Sequence, residues 1–242
     1  YDVIVHVLNA SSRPRALLCL SGSDGSQLWS QDITEIALGT IVPDVNGDDI
    51  YDYCAGRYFS STLSMHSGVD GSTIWTTSVS SFDGSAAVVL PKEVGCDIIT
   101  AHQGGVPYRL VSTDGSVVWQ ASGGPGNDST YTMPRLVAAP GGYNVICHWR
   151  SYEKVSVING ETGVVLWTIA VQPGNYFYVT IPDQNSDGYE DVLIYDGTDL
   201  IAYDSTNGNV LRTFTDTALK SGAFLRLDKD SDRDGIIDSW EL

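Results

Sequence analysis

A six-residue unit recurs five times along this chain of 242 residues, and its even spacing constrains the fold more than any other sequence feature. The unit is an Asp-Gly or related turn pair followed, four residues after the glycine, by tryptophan. Three complete copies precede two degenerate ones, and the copies end at Trp29, Trp75, Trp119, Trp167 and Arg212. The intervals between these residues are 46, 44, 48 and 45. A chain with this periodicity is built from similar structural units of about 45 residues.

The turn pair of each copy lies between two short runs that are apolar or that alternate between apolar and polar residues. An Asp-Gly or Asn-Gly pair in this position is a strong β-hairpin signal, because the turn requires positive φ angles. The chain shows no sustained 3.6-residue periodicity, which favours strands over helices. A unit of about 45 residues with four strands has the size of a propeller blade. We therefore predict an all-β fold, a five-bladed β-propeller of four-stranded blades.

The repeat divides the chain, taken as one domain spanning 1–242, into five blades. Four blades are complete. Blade 2 (34–80) has predicted strands 36–43, 52–57, 62–66 and 73–78, and blade 3 (84–122) has 86–91, 97–101, 108–112 and 117–121. Blade 4 (133–171) has 135–139, 145–150, 154–159 and 164–170, and blade 5 (175–216) has 177–182, 191–195, 200–204 and 210–214. Blade 1 (1–33 plus 223–228) lacks an opening strand at the N-terminus, because Asp2–Leu8 matches the second strand of the other blades. The segment Ala223–Asp228 resembles an opening strand, so N- and C-terminal strands are predicted to close the ring.

The charge balance excludes two classes of partner. The chain has 13 Lys and Arg residues against 30 Asp and Glu residues, a net charge of −17. Such a surface repels nucleic acid and anionic lipid, since binding to either depends on basic side chains. Apolar runs end after five or six residues, which predicts no membrane insertion. The first residues also lack the basic segment and long apolar stretch of a signal peptide.

The acids concentrate in three stretches, 44–52, 183–191 and 228–241, which hold 14 of the 30. The C-terminal stretch (228–242) matches the EF-hand calcium loop. Alternate side chains of such a loop turn inward, and a glycine at position 6, here Gly235, permits the sharp bend. The predicted ligands are Asp230, Asp232, Asp234, the Ile236 carbonyl, Asp238 and Glu241.

Two internal loops repeat this pattern. Their predicted ligands are Asp44, Asn46, Asp48, the Ile50 carbonyl and Asp52 in blade 2, and Asp183, Asn185, Asp187, the Tyr189 carbonyl and Asp191 in blade 5. Position 6 of the blade 2 loop is Asp49 instead of glycine, and Asp tolerates unusual φ angles better than most residues. Because the ligands are hard oxygen atoms, the predicted cofactor is Ca²⁺, two to three ions.

The alternative is that these loops are Asx-rich turns, which form without a metal. Blades 3 and 4 offer an internal comparison, because they join the same two strands through 91–95 and 140–144, which carry too few carboxylates to bind a cation. A blade can therefore make this connection without acid, and the acid of the other loops indicates a separate role.

At these residues the chain resembles two known groups of propellers. The Asp-Gly-x-x-x-Trp hairpins are similar to the quinoprotein-like (PQQ-like) repeat, and the acidic loops are similar to the FG-GAP repeats of integrin α-chain propellers. The first resemblance implies that the tryptophans dock between neighbouring blades. Both resemblances indicate architecture more than activity, since propellers host many functions.

Other chemically distinctive residues give weaker signals. Cys19, Cys54, Cys96 and Cys147 either form disulfides, with Cys19–Cys54 and Cys96–Cys147 as one of three pairings, or stay buried as thiols. The histidines His6, His66, His102 and His148 lie on different predicted strands and are expected to be packed or surface residues. Trp149 breaks the register of the repeat and is a candidate binding residue. Asn9 and Asn127 begin glycosylation sequons.

Calcium loops of the extracellular type bind at roughly 10⁻⁴–10⁻³ M, so we expect the chain outside the cytosol, secreted or at a cell surface. The predicted function is a non-catalytic module for adhesion, surface assembly or binding of a protein or glycan, and its terminal strands offer a route to self-assembly. The alternative is a carbohydrate-active enzyme, a polysaccharide lyase or glycoside hydrolase, although no convincing carboxylate pair lies outside the calcium loops. A quinone-dependent dehydrogenase is disfavoured, because such enzymes resemble a longer, eight-bladed ring with an adjacent cysteine pair, and this sequence has neither feature.

Deleting residues 221–242 tests the predicted closure. The deletion would leave an unpaired strand edge in blade 1, so we expect an open ring that aggregates and unfolds at a lower temperature. Size-exclusion chromatography and thermal unfolding measure these properties. A truncated protein that stays monomeric and equally stable would show that terminal closure is wrong.

Overall fold

The computed structural model describes residues 2–8, 14–32, 36–57, 62–79, 86–92, 95–101, 106–124, 134–149, 152–172 and 177–214. These ranges form 19 β-strands in five antiparallel sheets, each with its strands in sequence order. The prediction of an all-β, five-bladed architecture is confirmed. A search of the same ranges finds no helix with the length and apolar character needed to cross a membrane.

Blade 1 contributes three of these strands, and blades 2 to 5 contribute four each. The strands of blades 1 and 2 are β1 (Val3–Leu8), β2 (Pro14–Leu20), β3 (Gln27–Asp32), β4 (Ile36–Val42), β5 (Asp52–Arg57), β6 (Thr62–His66) and β7 (Thr73–Ser78). Blade 3 comprises β8 (Ala86–Pro91), β9 (Cys96–Ala101), β10 (Tyr108–Val111) and β11 (Val117–Gln120). Blades 4 and 5 comprise β12 (Arg135–Ala139), β13 (Gly142–Trp149), β14 (Lys154–Asn159), β15 (Val165–Ala170), β16 (Phe177–Ile181), β17 (Asp191–Tyr195), β18 (Leu200–Tyr203) and β19 (Val210–Phe214).

The strand positions of blades 2 to 5 agree with the predicted ones to within one residue at every end but one. The exception is β13, which begins at Gly142 instead of 145, because Gly142 already pairs with Ala139 across a tight turn. The predicted closing strand, 223–228, lies outside the described residues. Ring closure therefore stays a prediction.

The opening strands of successive blades are neighbours in space. β4 contacts β8, β8 contacts β12, and β12 contacts β16, which places the opening strands at the centre of the propeller. The second strand of an inner blade is covered by adjacent blades on both faces, so the last six residues of β13 in blade 4 are all buried. The outer strands meet solvent on one face, and exposed and half-buried residues alternate along β15.

Side chains from facing sheets form the core. One cluster extends from blade 2 to blade 4 and includes Met65, Ile98 and Leu110, all fully buried. A second cluster joins blades 4 and 5 through residues such as Ile146 and Val192. These apolar layers are the main source of stability in such a fold.

The four cysteines, Cys19, Cys54, Cys96 and Cys147, are free, buried thiols. This arrangement is the second of the two alternatives that the sequence left open. Burial raises the pKa of the Cys54 and Cys147 thiols, which keeps them protonated and unreactive.

The repeat tryptophans connect each blade to the next. The Nε1–H of Trp29 donates a hydrogen bond to the Gly68 carbonyl (2.8 Å), and that of Trp75 donates to the Ser112 carbonyl (2.8 Å). The same bond recurs from Trp119 to Gly160 (2.8 Å) and from Trp167 to Ser205 (3.0 Å). In every case the acceptor residue lies two positions before the turn pair of the next blade, as Gly68 does before Asp70. The tryptophans therefore dock between blades, as the PQQ-like resemblance implies.

The glycine of each receiving hairpin lies against the docked indole. A Cβ atom added to Gly115 would come within 2.7 Å of the Trp75 ring, and Gly71, Gly163 and Gly208 meet their tryptophans at 2.7–2.8 Å. All four have φ angles between 71° and 77°, in the left-handed region that favours glycine. Gly25 has the same conformation (φ 72°), but no atom of the described residues lies within 4 Å of its added Cβ.

Replacing Gly115 or Gly25 with alanine separates these two requirements. Gly25→Ala introduces only backbone strain, about 1–2 kcal/mol for a left-handed residue. Gly115→Ala adds a clash with the rigid Trp75 ring, and overpacking of this kind typically costs a further 1–3 kcal/mol or so. Urea denaturation should therefore show a clearly larger loss of unfolding free energy for Gly115→Ala than for Gly25→Ala. Equal losses for the two variants would contradict the proposed role of the indole contact.

Candidate cation-binding loops

Two of the three predicted calcium loops lie within the described part of the chain. They connect β4 to β5 in blade 2 and β16 to β17 in blade 5. The C-terminal loop, with its predicted ligands Asp230, Asp232, Asp234, Ile236, Asp238 and Glu241, lies outside the described residues and stays a prediction.

The carboxylate of Asp44 organises the blade 2 loop from within. Its Oδ1 accepts hydrogen bonds from the backbone N–H groups of Asn46 (3.1 Å), Gly47 (2.7 Å) and Asp48 (3.2 Å). Its Oδ2 accepts a bond from the Asp49 N–H (2.8 Å). These bonds, led by that of Asp49, lower the pKa of Asp44 and keep it ionised.

The blade 5 loop has the same hydrogen bonds at the same positions. Asp183 Oδ1 accepts from the backbone N–H groups of Asn185 (3.0 Å), Ser186 (2.7 Å) and Asp187 (3.3 Å), and its Oδ2 accepts from Gly188 (2.7 Å). The Gly188 bond is the largest cause of the lowered pKa of Asp183. The two loops are thus copies of one local structure.

Both loops use left-handed backbone at positions 4 and 6. These residues are Gly47 (φ 84°) and Asp49 (φ 67°) in blade 2, and Ser186 (φ 63°) and Gly188 (φ 92°) in blade 5. Asp49 therefore adopts the conformation of the glycine that it replaces, and the departure from the sequence pattern does not alter the loop.

The last acid of each loop is buried. Asp52 and Asp191, each 1% exposed, begin β5 and β17. Asp52 Oδ2 accepts from the Val45 N–H (2.8 Å), and its Oδ1 accepts from the Gly68 N–H (3.1 Å). Asp191 Oδ2 accepts from the Gln184 N–H (2.7 Å). Gly68 is also the acceptor of Trp29, so this residue links the interblade contact to the loop.

Burial raises the pKa of both carboxyls despite their hydrogen bonds. Loss of solvent is the largest cause, and nearby carboxylates add to it, among them Asp48 at Asp52 and Asp187 at Asp191. The charged form of each buried acid therefore lacks full compensation from its surroundings.

The position of Asp52 and Asp191, at the start of the second strand, is occupied by an acid or an amide in every blade. Asp97 and Asn144 lie at this register, opposite Val111 and Asn159 on the third strands of blades 3 and 4. In blade 1 the equivalent is Asp2, whose Oδ1 accepts from the Gly22 N–H at 3.1 Å, as Asp52 does from Gly68. Asp97 is not among the predicted site residues, although it begins the predicted strand 97–101 as Asp52 and Asp191 begin theirs.

Blade 3 neutralises its buried acid with basic side chains. Arg109 Nε lies 2.6 Å from Asp97 Oδ2, and Lys92 Nζ lies 3.4 Å from Asp97 Oδ1. Arg109 and Asp97 are almost fully buried. Arg109 Nη1 also donates to the Gly160 carbonyl (2.7 Å) and lies 3.0 Å from Glu161 Oε2.

The other blades treat this position differently. Blade 4 has the neutral Asn144 there. Within the described ranges, the ion pairs involve neither Asp52 nor Asp191. A buried carboxylate without a cationic partner is costly, because its ionised form has lost water without gaining an opposite charge.

One atom in the blade 5 loop is left without a conventional partner. Asp191 Oδ1 is buried and makes no hydrogen bond of acceptable geometry with the described residues, although the Ser205 N–H acts to lower the pKa of Asp191. Across the described residues, no group of three or more His, Cys, Asp or Glu side chains could hold a metal ion as placed. A bound cation would therefore require the loop carboxylates to draw together around it.

The remaining candidate residues are structural where they are described. Trp149 is fully buried, and its Nε1–H donates to Ser156 Oγ (2.8 Å), so this candidate binding residue is a core residue instead. His66 and His148 are buried, as expected for packed histidines. His102 and the His6 side chain lie outside the described set, as do the sequon residues Asn9 and Asn127.

Comparisons with known proteins agree with the propeller fold. A model of the family described as outer membrane protein assembly factor BamB matches residues 4–214. Among solved structures, the chain is similar to BamB from Moraxella catarrhalis, with 16% identity, a TM-score of 0.48, and 88% of this chain and 76% of that chain covered. A search of curated proteins found no match.

Two further solved structures share the fold. They are Sqt1 from Saccharomyces cerevisiae, with 10% identity and a TM-score of 0.60, and the computationally designed Ika8 protein, with 11% identity and a TM-score of 0.55. Each match covers 88% of this chain, but only 62% of Sqt1 and 58% of Ika8. At these identities the likeness supports the architecture alone.

Arg109→Met tests the charge compensation in blade 3. The variant leaves Asp97 buried without its main partner, and breaking a buried pair typically costs about 3–5 kcal/mol. Adding Asp97→Asn to this variant removes the uncompensated charge and recreates the neutral arrangement of blade 4. We therefore expect the double variant to be more stable than Arg109→Met in urea denaturation. A double variant that is no more stable would contradict this account.

Proposed function

The chain belongs to the PQQ-like repeat family described as outer membrane protein assembly factor BamB, and we propose that it is a non-catalytic propeller scaffold whose acidic loops bind calcium ions. The scaffold presents protein- or glycan-binding surfaces for adhesion or assembly at the cell envelope or outside the cell. Calcium has a structural role in this proposal, because the loops join the first two strands of their blades.

The proposal depends on one observation about the buried residue at the start of the second strand. In blades 3 and 4 this position is paired with a basic side chain or is neutral, whereas in blades 2 and 5 it is an acid outside any described ion pair. Asp97 has Arg109 as its partner, Asn144 carries no charge, and Asp52 and Asp191 belong to no ion pair in the described ranges. Only the last two follow loops rich in Asp and Asn. A divalent cation in those loops would supply the charge that Arg109 supplies in blade 3.

The donor atoms favour calcium over other metals. Each loop offers carboxylate, amide and backbone carbonyl oxygens, and neither contains His or Cys. Ca²⁺ accepts six to eight oxygen ligands in flexible geometry, which suits a loop whose side chains must move inward. Asp44, Asn46, Asp48, the Ile50 carbonyl and Asp52 would hold the ion in blade 2, and Asp183, Asn185, Asp187, the Tyr189 carbonyl and Asp191 would hold it in blade 5.

Two considerations support a location at the cell envelope or outside the cell. The family description refers to the outer membrane. Loops of the extracellular type bind calcium at roughly 10⁻⁴–10⁻³ M, a range suited to compartments rich in calcium. The excess of acidic residues also argues against nucleic acid as a partner.

A surface beside the blade 2 loop supports a role in binding a partner. Ile50, Tyr51 and Val69 are large apolar or aromatic side chains that are 47%, 65% and 54% exposed. Gly68, which precedes Val69, packs directly against Ile50 and Tyr51, so these residues lie together. Exposed apolar residues grouped in this way are typical of interaction surfaces, and calcium in the loop would hold this one in place.

Calcium should raise the thermal stability of the protein, because the ion binds the folded loops and not the unfolded chain. At a free concentration about 100 times Kd, each site contributes about 2.7 kcal/mol, which corresponds to a rise in Tm of roughly 5–10 °C for a chain of this size. Thermal unfolding with calcium and with EGTA measures the shift. An identical Tm in both conditions would overturn the proposal.

Asp187→Ala locates the effect, since it removes one predicted ligand from the blade 5 loop. Asp114→Ala is the matched control, because Asp114 is an exposed acid that accepts a hydrogen bond within a hairpin turn of blade 3, which carries neither loop. We expect the calcium-dependent rise in Tm to shrink in Asp187→Ala and to stay unchanged in Asp114→Ala.

A further inference from the structure

Asp204 is an acid that faces the blade 5 loop but stands outside the loop pattern. It follows β18 directly and is 6% exposed. Its Oδ1 accepts hydrogen bonds from the N–H (2.8 Å) and Oγ1–H (2.6 Å) of Thr206, and its Oδ2 accepts from Asn207 Nδ2 (2.6 Å). The fold brings it to the loop, since Asp204 lies 13 residues after Asp191.

The side chain of Asn185 shows how close Asp204 is to the loop ligands. Asn185 Nδ2 lies 3.1 Å from Asp204 Oδ2 and 3.3 Å from Asp187 Oδ2, so the amide bridges the two carboxylates. A cation coordinated by both carboxylates would interact with them more strongly than the neutral amide does. The bridging position is therefore electrostatically suited to a positive ion.

The unpartnered oxygen of Asp191 lies beside the same group. Asp191 is 1% exposed, and within the described part of the chain its Oδ1 makes no hydrogen bond of acceptable geometry. Asp191 precedes Val192 and Asp204 follows Tyr203, and these two residues pair directly across β17 and β18, so Asp191 and Asp204 lie opposite each other. Asn185 links Asp204 to Asp187, so the three acids surround one region. The contact with the Ser205 N–H does not meet hydrogen-bond geometry, and a buried acceptor in this state is suited to a bound ion.

The blade 2 loop lacks this additional acid. The residue of blade 2 equivalent to Asp204 is Ser67. The backbone carbonyl of Ser67 accepts a hydrogen bond from the Gly71 N–H, as that of Asp204 does from the Gly208 N–H. Ser67 Oγ lies 3.4 Å from Asp48 Oδ2. The two loops therefore share one local structure but differ by one negative charge at the same place.

We propose that Asp204 is a further calcium ligand of the blade 5 loop and makes that loop the tighter of the two sites. This inference rests on the proposed calcium function. Calcium affinity in such loops is tuned by the number of charged ligands. The blade 5 site has four carboxylates, Asp183, Asp187, Asp191 and Asp204, whereas the blade 2 site has Asp44, Asp48 and Asp52.

Calorimetric titration of the full chain with calcium, after removal of bound metal, tests the proposal. The blade 5 site is the binding event lost in Asp187→Ala, and the blade 2 site is the event lost in Asp48→Ala. Asp204→Asn keeps the size of the side chain, and we expect it to weaken the blade 5 event by roughly tenfold or more. Ser67→Asp should strengthen the blade 2 event, and it provides a test even if Asp204→Asn folds poorly. Asp114→Asn, which removes one charge from blade 3, should change neither event.

The outcomes separate this inference from the proposed function. Titration of the parent protein without any calcium binding would overturn both. If the parent protein binds calcium but Asp204→Asn leaves the blade 5 event unchanged, the role of Asp204 alone is overturned. If Asp204→Asn does not fold, an unchanged blade 2 event in Ser67→Asp has the same consequence.

Discussion

The contact between one tryptophan and the hairpin of the next blade organises this propeller. Trp29 donates its indole N–H to the Gly68 carbonyl, and its ring lies against Gly71. The N–H of Gly68 in turn binds the buried Asp52. One hairpin therefore receives the preceding blade on one side and supports the acidic loop on the other. Because four blades receive a tryptophan in the same way, the acidic loops of blades 2 and 5 are held in equivalent positions within their blades.

A buried acid at the start of the second strand is the main electrostatic problem of the fold, and the blades solve it in different ways. Blade 3 uses Arg109, which pairs with Asp97 and also binds the Gly160 carbonyl that accepts Trp119. Blade 4 uses the neutral Asn144. Blades 2 and 5 place loops of Asp and Asn around the acid, and calcium binding is the solution that we propose for them. The comparison is informative because backbone and register are shared, so only the side chains differ.

The sequence predicted the strands well because the turn signals and the tryptophan spacing are local. It also indicated the sharp bend at position 6 of each loop, where Asp49 and Gly188 have positive φ angles. It failed for Trp149, whose departure from the repeat register suggested a binding role. That side chain instead fills the core and bonds to Ser156, because a second strand covered by two blades has no exposed face.

The sequence by itself determined the all-β fold, the five repeats and the acidic loops with their oxygen donors, because each depends on residues close together along the chain. Only the tertiary structure showed that Asp97 is paired with Arg109, that Asp52 and Asp191 are buried at the equivalent position, and that Asp204 faces the blade 5 loop. These relations depend on strand register and on the packing of neighbouring blades. Both are set by contacts between residues far apart in sequence, and the spacing of residues along one chain does not specify them.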